Sequence, residues 1–259
     1  MTTRIVFLKK KKFKNAVLVC GLPGIGLVGK IALDYLLKQC RTEKIADVYS
    51  DSFPPSVHTE KGVMSLIRDE IFLFEFKGRS FLFLAGPVQP SLDIRFSSPQ
   101  DHYEFAQKIV FEMKSVGVKE VYSLAGINVG DKRMEQEPRI VVAVTKKELI
   151  PVFAKLGAIV DSHGGLISGA AGLLPGLAAE QGIHGACIMG ETNARLVYGD
   201  HGAAKKVLEL LVKMFGFKLD MKNIEKEAKN IEKAFATLNK QLAERKEEEH
   251  VEDSLSYVR

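Results

Sequence analysis

A glycine-rich turn near the N-terminus contains residues whose spacing could bind a nucleotide. It follows a short apolar run over residues 17–20 and contains Gly21, Gly24, Gly26 and Gly29. A buried strand that passes through such a turn into a helix leaves free backbone N–H groups at the helix N-terminus, where anions bind. The last three glycines match the dinucleotide pattern G-x-G-x-x-G, and the segment from Gly24 to Lys30 matches all but the last position of the phosphate-loop pattern. Phosphate binding is therefore the first chemistry to consider.

Neither nucleotide pattern is complete in this chain. The phosphate-loop pattern needs a hydroxyl side chain after Lys30, where this sequence has Ile31. The dinucleotide pattern needs an acidic residue at the end of the second strand, and Asp47 lies inside the predicted strand over residues 45–49 instead. Pro23 stiffens a turn whose N–H groups would have to face phosphate. We therefore interpret the glycines as a tight structural turn, with a nucleoside or nucleotide site at Gly24–Gly29 as the alternative.

Two further groups of polar residues were considered for chemistry. Asp161, Ser162 and His163 are adjacent, but the members of a catalytic triad converge from different strand ends, and the chain has no G-x-S-x-G motif. Glu191 and Asn193 follow a predicted strand directly, which is where α/β folds bind small molecules, so a nucleoside site would use them. The histidines have no metal-ligand spacing. The sequence therefore predicts no metal site, and Glu191 and Asn193 are its best candidates for a small-molecule site.

Composition restricts the class of protein. The chain has 259 residues, of which 46% are hydrophobic and 27% charged, as is usual for a soluble globular protein. A net charge of +5 is too small to indicate a nucleic-acid partner. We find neither a signal-peptide pattern nor the run of about 18 apolar residues that a membrane span needs. The three cysteines lack metal or disulfide spacing, which indicates a reducing compartment. We expect a cytoplasmic protein.

Strand-like and helical patterns alternate along most of the chain, which predicts an α/β layered fold. Two aromatic runs, residues 71–76 and 81–85, are joined by a short turn containing Gly78 and indicate a hairpin, so the sheet is mixed. We predict an α/β layered fold with a mixed sheet over residues 1–218, followed by a C-terminal helix.

Several local details are also predicted. N-caps are expected at Ser98 and Asp200. The helix after Ser98 is expected to direct Tyr103 into the core. Residues 128–137 are polar and predict an exposed loop. Thr145 and Glu148 have the spacing of a capping box, which predicts the start of another helix.

The last part of the chain changes character. Apolar residues at alternating spacings of three and four form a heptad seam, namely Met221, Ile224, Ala228, Ile231, Phe235, Leu238 and Leu242. The flanking positions are acidic, at Asp220, Glu225, Glu227 and Glu232. Pairing with an identical helix would oppose like charges. The helix, over residues 219–245, is therefore expected to pack on its own domain or on a less acidic partner. Residues 246–259 are predicted to form a flexible acidic tail.

Three blocks of sequence carry a family resemblance. They are GLPGIGLVGKIA over residues 21–32, GLISGAAGLLPGLAAEQGI with CIMGET over residues 165–183 and 187–192, and GDHGAAKKVLELL over residues 199–211. On these blocks, in this order and spacing, the chain resembles the proteasome assembly chaperone family, in particular its archaeal members. The resemblance covers nearly the whole α/β part.

This resemblance implies a three-layer αβα sandwich with a mixed sheet, similar to nucleoside phosphorylases but without a recognised catalytic apparatus. It therefore implies no enzymatic activity and no cofactor. It implies a homo-oligomer, expected to be a tetramer, that binds the α subunits of the 20S proteasome without ATP. Such proteins act as assembly chaperones or activators, and the sequence leaves open which of the two applies.

The resemblance also implies that the C-terminal tail docks between proteasome α subunits. The candidate partner-binding residues are Leu255, Tyr257, Val258 and Arg259. Docking tails of this kind often end in a hydrophobic residue, tyrosine and any residue, whereas Tyr257 is third from the end here. An aromatic anchor and a terminal carboxylate suit such a pocket, because the ring buries area with few rotors and the carboxylate can meet a lysine.

Overall fold

A large mixed sheet forms the centre of the computed structural model, which describes residues 3–9, 11–91, 97–160, 164–235 and 237. The strands are β1 (Arg4–Phe7), β2 (Ala16–Gly21), β3 (Glu43–Tyr49), β4 (Val57–Glu60), β5 (Val63–Leu66), β6 (Asp69–Phe76), β7 (Arg79–Ala85), β8 (Val118–Asn128), β9 (Ile140–Val144), β10 (Ile159–Val160) and β11 (His184–Thr192). The helices are α1 (Val28–Gln39), α2 (Pro99–Ser115), α3 (Lys132–Glu135), α4 (Ile150–Lys155), α5 (Ala170–Glu180) and α6 (His201–Phe215). Residues 222–235 are also helical.

The main sheet has the strand order β1-β3-β6-β7-β2-β8-β11-β9-β10, and β4 and β5 form a separate two-stranded hairpin. The central strands β7, β2, β8 and β11 are parallel, so their carboxyl ends meet at one edge. The strands β1, β3 and β6 extend the sheet in antiparallel pairs, and β9 runs antiparallel to β11. The mixed sheet predicted from the sequence is confirmed.

Helices cover both faces of the sheet, and strand β2 shows why. Every residue of β2 is buried, which is typical of a central parallel strand. Successive side chains point to opposite faces, so Leu18 enters the core under α2 and α5, while Val17 and Val19 enter the core under α1 and α6. A continuous apolar run therefore supplies two cores.

The described part of the C-terminal helix packs on its own domain. The Tyr35 hydroxyl donates to the Asp220 carbonyl at 2.8 Å, and Ile224 and Phe235 are buried. Two acidic residues that flank the heptad seam meet bases of the body: Glu225 lies 3.6 Å from Lys205, and Glu232 lies 2.7 Å from Arg133. Two of the four acidic flanking residues are therefore matched by this chain itself. The seam residues Leu238 and Leu242 lie outside the described residues.

Both predicted N-caps are confirmed. Ser98 Oγ accepts the Asp101 N–H at 3.3 Å, and the Asp101 carboxylate accepts the Ser98 N–H at 2.7 Å, which completes a capping box. The Asp200 carboxylate accepts the Ala203 N–H at 2.9 Å at the start of α6. These helix starts are fixed by contacts within four residues, which is why sequence pattern alone could find them.

Three local predictions were wrong. Tyr103 is 51% exposed, because it lies just outside the stripe of buried residues from His102 to Met113 on α2. Residues 128–137 are not simply an exposed loop, since they contain the short helix α3 with Arg133 buried. Thr145 and Glu148 form no capping box: the Thr145 hydroxyl instead accepts the Gly185 N–H at 2.9 Å, and no side chain caps the next helical turn.

Candidate functional site

The glycine turn packs helix α1 closely against the sheet. A Cβ atom on Gly29 would lie 2.0 Å from the carbonyl oxygen of Leu124 on β8, and one on Gly26 would lie 2.4 Å from Thr192 Oγ1 on β11. Gly26 also has φ of 60°, which disfavours any other residue. Strands β8 and β11 therefore fill the space that Gly29 and Gly26 leave open. This close packing is what a tight structural turn predicts.

The residues that would complete a nucleotide site do not assemble around this turn. Lys30 Nζ pairs with Asp34 Oδ2 at 2.7 Å along α1. Asp47 lies on β3, which is separated from β2 by β6 and β7, whereas the ribose-binding acid of a dinucleotide fold lies on the strand next to the first. Its carboxylate instead accepts from Lys44 and Arg68, each at 3.0 Å.

A single amide side chain joins the glycine turn to helix α5. Gln89 Nε2 donates to the Pro23 carbonyl, and Gln89 Oε1 accepts the Ala170 N–H at 3.2 Å. The first N–H of α5 is one of the groups that could have held an anion. Because Gln89 occupies it, this helix start is already partnered.

A cleft of about 580 Å³ opens beside this bridge, at the carboxyl ends of β2, β8 and β11. Its volume falls within the range of small-molecule sites. The larger apolar residues that line it are Leu22, Ile25, Leu124, Ile127, Leu166, Ile167 and Met189. Of the polar lining residues, Gln89 is bridged as above, and Asn128 Oδ1 accepts the N–H groups of Gly130 and Ala194 at 3.1 and 3.0 Å. The cleft therefore suits apolar groups better than phosphate.

The two polar residues predicted at the end of β11 have structural partners. Glu191 is buried, and its carboxylate accepts from the Arg139 guanidinium at 2.6 Å and from the Arg139 N–H at 3.0 Å. These hydrogen bonds lower the pKa of Glu191. Asn193 Oδ1 accepts the Arg195 N–H at 2.9 Å. Neither residue lines the cleft, so the structure does not bring them together with the glycine turn.

Among the described residues, the most enclosed charged cluster is centred on Arg133, which the sequence analysis did not single out. Its guanidinium meets both Asp200 oxygens at 2.7 and 2.9 Å, and its Nη2 also donates to Glu232 at 2.7 Å. The Phe235 ring lies 5.2 Å away, at cation–π distance. Arg133 therefore ties the C-terminal helix to the start of α6.

Neighbouring residues complete the Arg133 cluster. Thr192 Oγ1 donates to Asp200 Oδ2 at 2.9 Å, which adds β11 to the network. Gly202 leaves the space that the guanidinium occupies, because a Cβ there would lie 2.5 Å from Arg133 Nη2. The block from Gly199 to Gly202 was part of the family resemblance, and it is the sequence signal that could have led to this cluster.

The remaining candidate residues cannot be located. Asp161, Ser162 and His163 lie outside the described residues, and so do Leu255, Tyr257, Val258 and Arg259. Within the described ranges, no group of three or more His, Cys, Asp or Glu side chains is arranged to hold a metal ion. No helix in that same part of the chain is long and apolar enough to cross a membrane.

The fold and site together define a mixed α/β protein whose strand-end glycines and buried charges are used for packing. A model of the PAC2 family matches residues 18–239. The chain therefore belongs to the PAC2 family, and the resemblance found in the sequence is confirmed.

Relatives and solved structures agree with this assignment. The uncharacterized protein MJ1210 of Methanocaldococcus jannaschii is 33% identical over 216 residues, covering 83% of this chain and 80% of the relative. The crystal structure of Pyrococcus furiosus PbaB, an archaeal proteasome activator, has a TM-score of 0.81 at 29% identity, covering 92% of this chain and 99% of PbaB. Pyrococcus furiosus PbaA, an archaeal homologue of proteasome-assembly chaperone, has a TM-score of 0.71 at 25% identity with full coverage of both chains.

Proposed function

We propose that this protein is an ATP-independent proteasome activator or assembly chaperone of the cytoplasm that binds α subunits of the 20S proteasome. The observation that carries the proposal is the likeness to PbaB, described as an archaeal proteasome activator, over 92% of this chain. The site supports a binding role rather than catalysis. The glycine turn, Gln89 and Glu191 are occupied by contacts within the protein. These same contacts disfavour the alternative nucleoside or nucleotide site at Gly24–Gly29.

Each part of the chain has a separate proposed role. Residues 1–218 form the α/β body, residues 219–245 form the C-terminal helix, and residues 246–259 form the tail that reaches the proteasome. The contacts of Glu232 and Phe235 with Arg133 support this arrangement, because they hold the described part of the C-terminal helix on the body.

Docking is assigned to the apolar end of the tail. Leu255, Tyr257 and Val258 supply apolar contacts, and Arg259 supplies the terminal carboxylate. A single short tail binds weakly, whereas a homo-oligomer, proposed to be a tetramer, presents several tails to one α ring and gains by effective concentration. Oligomerisation is therefore part of the proposed mechanism.

The test is capture of purified 20S α subunits, with and without ATP, by the full-length chain and by a chain that ends at Asp253. Light scattering on each sample reports its assembly state. Capture by the full-length chain alone, independent of ATP and with unchanged mass, is the expected result. Equal capture by both chains would refute docking through the tail, and capture by neither would refute the proteasome as partner.

A matched control separates the tail from the body surface. Tyr257→Ala removes the proposed anchor, and Tyr198→Ala removes a highly exposed tyrosine of the body. We expect capture to fall at least tenfold for the first variant and to stay unchanged for the second. The reverse pattern would move the contact from the tail to the loop that follows β11.

A further inference from the structure

The cleft beside the glycine turn has no role in the proposed function, and its lining carries no charge. None of the described residues that line its volume of about 580 Å³ is Asp, Glu, Lys, Arg or His. The chain as a whole is 27% charged, so this surface differs in kind from its average. The cleft also lies at the carboxyl ends of parallel strands, the edge at which α/β sheets bind ligands. Both its chemistry and its place in the fold therefore single it out.

The floor of the cleft is recessed because short side chains form much of it. Three strands of the sheet contribute Cys20 from β2, Ala125 from β8 and Ala143 from β9, and β11 contributes Met189. The register pairs Met189 directly with Ala125, so these two side chains share one face of the sheet. Proteins are normally packed to high density beneath their surface. Short side chains under an open volume therefore leave space for another molecule.

The two walls of the cleft are held together by one side chain. One wall is the glycine turn at Pro23, and the other is the start of α5 at Ala170. Gln89 bonds to both, because its Nε2 donates to the Pro23 carbonyl and its Oε1 accepts the Ala170 N–H at 3.2 Å. Walls that are already bridged need little ordering when a ligand binds, which lowers the cost of binding. The cleft is therefore preformed, as small-molecule sites usually are.

A single amide at the rim gives the cleft a polar contact of defined direction. Asn128 Oδ1 accepts the N–H groups of Gly130 and Ala194, at 3.1 and 3.0 Å. These two donors fix which end of the amide is oxygen, so Nδ2 takes the other position and offers N–H donors. Within the described ranges, Asn128 Nδ2 makes no hydrogen bond to the protein. The rim therefore suits a hydrogen-bond acceptor, such as a carbonyl oxygen.

We propose that this cleft is a binding site for a small neutral molecule, which places an apolar ring or chain on the recessed floor and a carbonyl oxygen at Asn128. A carboxylate or phosphate would lose hydration in the cleft without meeting a counter-charge, which is costly. The ligand class therefore differs from that of a nucleotide site. The inference goes beyond the proposed function and does not rest on it, since it concerns the isolated protein.

The test is binding of N-acetyltryptophanamide, a neutral probe that joins an apolar ring to amide carbonyl groups. The chain contains no tryptophan, so the probe's emission is observed without background from the protein. With the full-length chain we expect a saturable blue shift and a rise in anisotropy. N-acetyltryptophan has the same ring with a carboxylate, and we expect it to bind at least tenfold more weakly. No saturable binding of the neutral probe, or equal binding of the charged one, would overturn the proposal.

A substitution on the floor tests where the probe binds. Ala143→Leu fills part of the recessed volume, and we expect the affinity for N-acetyltryptophanamide to fall at least tenfold. Ala154→Leu is the control, because it makes the same change at an exposed position of α4 outside the cleft. Thermal melting reports whether each variant is folded. Unchanged affinity in a folded Ala143→Leu variant would overturn the proposal.

A second variant tests the polar contact and keeps the fold. Asn128→Asp retains an oxygen for the N–H groups of Gly130 and Ala194 but replaces the Nδ2 donors with a charged acceptor. We expect at least a tenfold loss of affinity for N-acetyltryptophanamide. Asn15→Asp is the control, because it adds the same charge at an exposed position just before β2, at the opposite end of the sheet. Equal affinities of these two variants would overturn the proposed role of Asn128 and with it the ligand class.

Discussion

The Arg133 guanidinium and the Asp200 carboxylate form a two-point ion pair, at 2.7 and 2.9 Å, in which both side chains are fully enclosed. Asp200 is also the N-cap of α6, because its carboxylate accepts the Ala203 N–H. One carboxylate thus neutralises a buried cation and starts a helix. This double use makes the pair sensitive to the loss of either partner.

Replacing Arg133 is expected to destabilise the protein strongly. Arg133→Ala leaves Asp200 buried without its counter-charge, and breaking a buried pair in this way typically costs about 3–5 kcal/mol. Urea unfolding followed by circular dichroism measures the change. Arg195→Ala is the control, because that arginine is exposed and its pair with Asp131, at 3.5 Å, is a surface contact that contributes little. Equal effects of the two changes would contradict the structural role of the Arg133 cluster.

Weakening the contact of Glu232 is expected to loosen the C-terminal helix more than the body. Glu232 is 40% exposed, so its bond to Arg133 is worth about 1 kcal/mol or less. Glu232→Gln should therefore leave the main unfolding transition nearly unchanged while it increases hydrogen exchange over residues 222–235. Glu227→Gln, on the same helix, serves as the control. Unaltered exchange in Glu232→Gln would show that the bond does not hold the helix.

The motif glycines are expected to differ in their tolerance of a methyl group. Gly29→Ala would place Cβ 2.0 Å from a backbone oxygen of β8 and should destabilise the protein by about 1–3 kcal/mol or more. Gly24→Ala should be nearly neutral, since nothing lies within 4 Å of the added atom. Comparing urea midpoints of the two variants tests the packing role directly. A loss of stability at Gly24 equal to that at Gly29 would contradict it.

Asp69 is expected to make stability depend on pH. Burial raises the pKa of this carboxyl well above its ordinary value, and its Oδ2 has no hydrogen-bond partner among the described residues. Because the folded state favours the protonated form, the contribution of Asp69 to stability is complete below the ordinary pKa of about 3.9 and is lost as pH rises through the raised pKa.

Asp69→Asn imitates the protonated form and should abolish this dependence. The variant is expected to match the natural chain near pH 4 and to exceed it by about 1–3 kcal/mol at pH 8. Urea unfolding at several pH values measures the difference. Glu70→Gln is the control and should not stabilise the protein, since Glu70 lies 3.0 Å from Lys44. A difference for Asp69→Asn that does not grow with pH would contradict the prediction.

Local signals in the sequence accounted for much of the fold. The apolar run of β2 and the caps at Ser98 and Asp200 involve residues close together in the chain, so pattern and spacing were sufficient to predict them. The glycine turn was also interpreted correctly as structural, because each nucleotide pattern failed at a position that its chemistry requires.

Features that depend on distant partners could not be predicted in the same way. The partners of Arg133 are 67 and 99 residues away, so a lone arginine in a polar segment gave no indication of its burial. The Thr145 hydroxyl accepts the N–H of Gly185, which lies 40 residues further along the chain on β11. It is therefore not available for the capping box that its spacing to Glu148 predicted. The hairpin of β4 and β5 was missed because each strand has only four residues, and the apolar residues Val63 and Met64 of β5 are adjacent rather than alternating with polar ones.

The distance along the chain between Arg133 and Glu232 has a consequence for biosynthesis. Ribosomes make the body first, and the Arg133 cluster stays incomplete until residues 232–235, about 100 residues further on, have been added. A truncated nascent chain therefore carries a cation whose shell is unfinished and whose aromatic cover is missing. The body therefore reaches its final packing only after this segment of the C-terminal helix has been synthesised.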